Sequence, residues 1–98
     1  MKTNYTVYII YSEKLDRFYT GFTTDFDVRL HFHLHAEKHK FTAKATDWVL
    51  YFKIECESKN QALKIEKHIK EMKSKKYIQN LLLYPEITQK LLERYRDC

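Results

Sequence analysis

Apolar and polar positions alternate or cluster in a way that marks out seven segments. "YTVYIIY", Tyr5 to Tyr11, is β-branched and aromatic and reads as a strand. The polar run "SEKLDR" has the length of a hairpin turn, and "FYTGF", Phe18 to Phe22, follows as a second, antiparallel strand. Thr24 to Asp27 has the form of a capping box with Asp in place of Glu. Phe26, Leu30, His33 and Leu34 then recur at helical spacing, which predicts a helix from about Asp25 toward His35. After the Lys-rich loop "AEKHKFTAKAT", the stretch "DWVLYFKIE", Asp47 to Glu55, reads as a third strand.

The rest of the chain is helical in pattern. Ser58 and Gln61 form a second capping box, opening a helix through about Met72 whose apolar stripe is Ala62, Ile65, Ile69 and Met72. "SKKYIQNLLL" predicts a short helix, apolar on Tyr77, Ile78, Leu81 and Leu82. Pro85 suits the first turn of a last helix that buries Ile87, Leu91, Leu92 and Tyr95. The order β-β-α-β-α-α plus a C-terminal helix predicts an α+β fold, a small three-stranded antiparallel sheet flanked by helices. Residues 1–83 form the main unit, and residues 84–98 a helical extension of the same domain.

Length and composition narrow the classes. Ninety-eight residues, 44% hydrophobic, suffice for one core. The longest apolar runs, "VYIIY" and "WVLYF", fall far short of the roughly 20 residues that span a bilayer. Nothing at the start reads as a signal peptide, so the sequon Asn4-Tyr5-Thr6 is read as chance and a cytoplasmic location is expected. Cys56 and Cys98 make neither a disulfide framework nor a zinc knuckle. A net charge of +5, with 15% aromatic residues, suits a nucleic-acid partner, because cations meet phosphates and rings meet bases.

A few residues do not read as core. Gly21 is the only glycine, and it falls inside a strand pattern. A bare backbone there answers either to a β-bulge or to a close approach. Arg29 and His33 share a helix face at i, i+4, either as a partly buried histidine beneath an arginine or as a site. Glu66 falls inside or beside an apolar stripe, where a carboxylate needs a partner. That partner is either a cation of the protein or a metal ion. His31, His35 and His39 share a face, but with His33 pointing elsewhere and no Cys nearby they do not complete a zinc set. Lys73, Lys75 and Lys76 crowd a helix junction, as a solvated face or as a track for phosphates.

Taken in order, these residues resemble the GIY-YIG nuclease domain. The resemblance rests on Thr6-Val7-Tyr8, on Tyr19-Thr20-Gly21, on Arg29 eight residues past the glycine, and on His33 four later. It continues in Ala62, Glu66, Ile69 and Lys70, which match an Ala-x3-Glu-x2-Ile-Lys helix, and it covers about Asn4 to Leu83. The layout is most similar to small single-domain bacterial members related to the excision-repair incision nuclease. Thr6 replaces the first glycine of the name motif and Thr20 its central isoleucine. For the late asparagine of some members only Asn80 offers a counterpart.

The resemblance implies a metal-dependent endonuclease that hydrolyses phosphodiester bonds in DNA. It makes Glu66 the ligand of Mg²⁺ (or Mn²⁺) and Tyr8 the group that takes or relays the proton of the attacking water. Arg29 would stabilise charge on the phosphate, while Tyr19 and His33 orient water and phosphate. Gly21 would leave room for a close backbone or phosphate approach, and Lys70, Lys73, Lys75 and Lys76 would hold nucleic acid. Two alternatives stand beside it: a non-catalytic nucleic-acid-binding module of the same fold, and a protein-interaction domain using the C-terminal helix.

Overall fold

The computed structural model describes residues 5–24 and 47–96. Strands β1 (Tyr5–Ser12), β2 (Arg17–Thr23) and β3 (Val49–Cys56) form an antiparallel sheet of order β2-β1-β3. They are followed by α1 (Lys59–Met72), α2 (Lys75–Leu83) and α3 (Pro85–Arg94). The α+β architecture agrees with the pattern of the sequence, strand ends shifting by a residue or two. The helix expected from Asp25 toward His35 lies outside the described residues.

The unbroken apolar character of β1 has a simple cause. It is the central strand, and Thr6 to Ile10 are buried on both faces. Directly opposed residues of antiparallel strands share a face. Val7, Ile9 and Ile54 therefore lie on the side covered by α1, where they pack with Ala62, Ile65 and Ile69. Ile78 of α2 and Leu91 of α3 close that core. Tyr8 and Ile10 form a smaller cluster with Trp48, against which Leu15 and Tyr19 pack. Opposite β1 the register of β3 shifts between Ile9 and Ile10, leaving Tyr51 as the extra residue. This is how both Tyr51 and Phe52 reach the larger core.

The helix ends are built from the residues that the caps require. Ser58 Oγ accepts from the Gln61 N–H at 3.1 Å, the first half of the expected capping box. The second half is altered, because Gln61 Oε1 accepts from the Glu57 N–H at 2.6 Å. Its Nε2 donates to the Leu92 carbonyl at 2.7 Å, near the end of α3, where a helix has no backbone donor left to offer. Gln61 is fully buried, and it ties α3 to the start of α1. Lys73 ends α1 with φ 47°, and Ser74 starts α2 by accepting from the Tyr77 N–H at 3.1 Å.

Two apolar assignments are corrected. Met72 is 44% and Leu82 49% exposed. Met72 is the last residue of α1, where the chain turns away, and the short α2 turns Ile78 and Leu81, with the partly buried Tyr77, to the core.

Candidate functional site

Tyr8 sits in the middle of the central strand and is 2% exposed. Its cross-strand partner on β2 is Gly21. A Cβ built on Gly21 would come within 2.5 Å of the Tyr8 ring carbon Cζ and 3.0 Å of Cε1, with the hydroxyl also in collision. Gly21 has no positive φ, and the β1–β2 register runs through it without a shift. The glycine is therefore neither turn nor bulge. Its missing side chain is the space that the Tyr8 ring occupies.

Tyr19 lies two residues before Gly21 on the same strand, opposite Ile10, and packs against the Tyr8 cluster. Lys70 Nζ stands 6.0 Å from the centre of the Tyr19 ring. One helical turn earlier on α1, Glu66 Oε2 meets the same ammonium at 3.0 Å. Strand β2 and helix α1 are thus joined through Tyr19, Lys70 and Glu66. The Glu66 side chain is only 18% exposed, whereas that of Lys70 is half exposed. Of the two partners that the sequence left open for this carboxylate, the protein's own cation is present.

Arg29 and His33 lie outside the described residues, as do His31, His35 and His39. Among the described residues no group of three or more His, Cys, Asp and Glu gathers as a metal set. Glu66 nevertheless fits a hard divalent cation. Mg²⁺ typically takes one or two carboxylates and keeps several waters, and a partly buried carboxylate paired with a surface lysine can supply one. Cys56 is a poor nucleophile, since burial pushes its thiol up to about 11.

The lysines separate into two groups. Lys70, Lys73 and Lys75 line a cleft of ≈ 650 Å³ between the hairpin residues Leu15 to Thr20 and the α1–α2 corner. Lys76 is exposed and does not line it. Lys75 Nζ meets Asp16 Oδ2 at 2.7 Å, and the Tyr11 hydroxyl donates to Asp16 Oδ1 at 2.7 Å. These bonds, the lysine's first, hold the Asp16 carboxyl below its usual range, and the same aspartate raises the Tyr11 phenol.

Sequence reasoning missed Asp16 and Arg17 at this cleft. Nothing local signals them, because Asp16 and Lys75 are 59 residues apart. It also missed Asp47, whose carboxylate accepts from Ser12 Oγ at 2.6 Å and from the Lys14 N–H at 2.8 Å. Those bonds hold the base of the β1–β2 hairpin and lower the Asp47 pKa, that from Ser12 most.

The family model of the GIY-YIG catalytic domain matches residues 4–79. No curated protein and no solved structure gives a match. No helix among the described residues is long and apolar enough to cross a membrane.

Proposed function

Because this chain belongs to the GIY-YIG catalytic domain family, we propose that it is a divalent-metal-dependent endonuclease acting on DNA. The observation that carries the reading is the fit of Tyr8 over Gly21, which supports a phenol held in one orientation at the centre of the sheet. A proton-transfer group must be held within hydrogen-bond reach of its target, and a side chain that cannot swing meets that demand.

In this reading Glu66 would hold Mg²⁺ or Mn²⁺, releasing Lys70 to the phosphate backbone. When bound, the ion polarises a phosphoryl oxygen and steadies the leaving oxygen. The Tyr8 hydroxyl takes or relays the proton of the attacking water, and the Tyr19 hydroxyl orients that water. Arg29 stabilises the charge that grows on the phosphate, and His33 orients it, both by their match to the family motif. Lys70, Lys73, Lys75 and Lys76 hold the backbone. Residues 1–83 act as the nuclease unit of a cytoplasmic enzyme, and α3 of the C-terminal extension, residues 84–98, braces it through the Gln61 bond to Leu92.

The test is nicking of plasmid, single-stranded and branched DNA with Mg²⁺ or Mn²⁺ against EDTA, for wild type and Glu66→Gln. The variant is expected to fold and to bind DNA, and to lose cleavage by about 10² or more. Undiminished nicking by Glu66→Gln would remove Glu66 from the mechanism. One observation favours a second reading, a non-catalytic nucleic-acid-binding module: Glu66 is already neutralised by Lys70. Absence of nicking by wild type on every substrate, with binding retained, would select it.

A further inference from the structure

The cleft between β2 and the α1–α2 corner has two kinds of wall. Leu15 and Phe18, both partly exposed, make an apolar floor over the buried Ile69 and Ile78. Phe18 is held there by ring contacts to Tyr11, centroids 4.7 Å apart, and to Tyr51, edge-on at 4.9 Å. Around the floor stand four cations, Arg17, Lys70, Lys73 and Lys75. They come from the hairpin, the end of α1 and the start of α2, so their convergence is a product of the fold. Lys73 is notable because its φ of 47° is the left-handed conformation in which glycine or asparagine usually ends a helix. A cationic side chain stands at the cleft where the backbone favours none.

Among the described residues the one acid in the cleft lining is Asp16, which also has a positive φ and pairs with Lys75. Both members of that pair are more than half exposed, 55% for the Lys75 side chain and 68% for Asp16. An exposed pair of this kind is held weakly and is readily exchanged for another anion.

We propose that this cleft seats one unpaired nucleotide of a nucleic-acid strand, its base on the apolar floor and its flanking phosphates on the cationic rim. Asp16 is an internal competitor that occupies Lys75 until a strand displaces it. A paired duplex presents its backbone while its base faces are already stacked, so it can use the rim and not the floor. An unpaired nucleotide uses both. The volume also suits one such unit, since small-ligand clefts run to roughly 300–1,000 Å³. The competitor adds selectivity: a lone phosphate must exchange for Asp16 at one lysine, whereas a strand meets several cations at once. The proposal rests on the nucleic-acid reading of the preceding subsection but not on catalysis.

The test is anisotropy of labelled short oligonucleotides in EDTA: a single strand, its duplex, and an all-abasic strand of the same length. The single strand is expected to bind roughly fivefold or more tighter than either of the others. Lys73→Glu should weaken single-strand binding about tenfold. Asp16→Asn keeps an acceptor for Tyr11 and tolerates the left-handed backbone, and it should tighten binding several-fold and steepen its salt dependence. Amide shifts in an NMR titration should concentrate at residues 15–20 and 73–75. Equal binding of the abasic strand, no effect of Asp16→Asn, or shifts centred elsewhere would each overturn the proposal. Nicking activity with equal abasic binding keeps the nuclease reading and removes this one. The expected binding pattern without nicking does the reverse.

Discussion

The Tyr8 ring lies across Gly21, so that a tyrosine on the central strand and a glycine on its neighbour fill one side-chain volume between them. The two motif halves, whose last residues Tyr8 and Gly21 are thirteen positions apart along the chain, are complementary in shape. A larger residue at position 21 and a tyrosine at position 8 exclude each other.

Gly21→Ala is therefore expected to destabilise the protein by about 1–3 kcal/mol, as overpacking does. Elsewhere in a chain, at an ordinary φ, the same change commonly stabilises by a few tenths or more. Replacing Tyr8 by Leu in the alanine background should recover part of the loss. Urea denaturation of the two single variants and the double variant checks this, and simple additivity would sink the steric account.

Gln61→Ala removes the acceptor for the Glu57 N–H and the donor for the Leu92 carbonyl in one step. With Gln61 fully buried, the expected cost is roughly 2–4 kcal/mol. Because one bond ends on α3, hydrogen exchange of that helix should quicken more than that of the sheet. Uniform quickening would mean that Gln61 supports the whole fold and not this junction.

Asp47 and Asp16 both have folded pKa values below the ordinary 3.8. A depressed carboxyl contributes stability that is fully present above that value and is lost as pH falls through the folded pKa. The difference in urea midpoint between wild type and Asp47→Ala should accordingly be largest near neutral pH and shrink in acid. A difference that stays constant below pH 3.8 would show that the Ser12 and Lys14 bonds do not depend on the ionised form.

Lys73→Gly should raise stability by about 0.5–1 kcal/mol, since glycine enters the left-handed conformation without the Cβ penalty, partly offset by backbone entropy. Thermal melting measures it. If the melting temperature falls instead, the lysine side chain has packing that outweighs the strain.

The elements were legible because the interactions that set them are near neighbours in sequence. Ser58 before Gln61, Ser74 before "KKY" and Pro85 after Tyr84 mark helix starts within three or four residues, and the structure begins its helices there. The apolar run of β1 likewise reads as a strand, and Ala62, Ile65 and Ile69 as one helix face. Glu66 was visible as a carboxylate needing a partner, and Lys70, four residues on, supplied it. What Gly21 makes room for was not legible. Its pairing with Tyr8 depends on a hairpin register, and a shift of one residue would have placed a threonine or phenylalanine there. Asp16 with Lys75, Ser12 with Asp47 and Gln61 with Leu92 are 59, 35 and 31 residues apart. Such pairs depend on the closed sheet and helix core, because burial of Val7, Ile9, Ile65 and Leu81 brings the polar residues around them within reach. Local periodicity determined the elements of this protein, and the apolar packing between them decided which charges and rings meet.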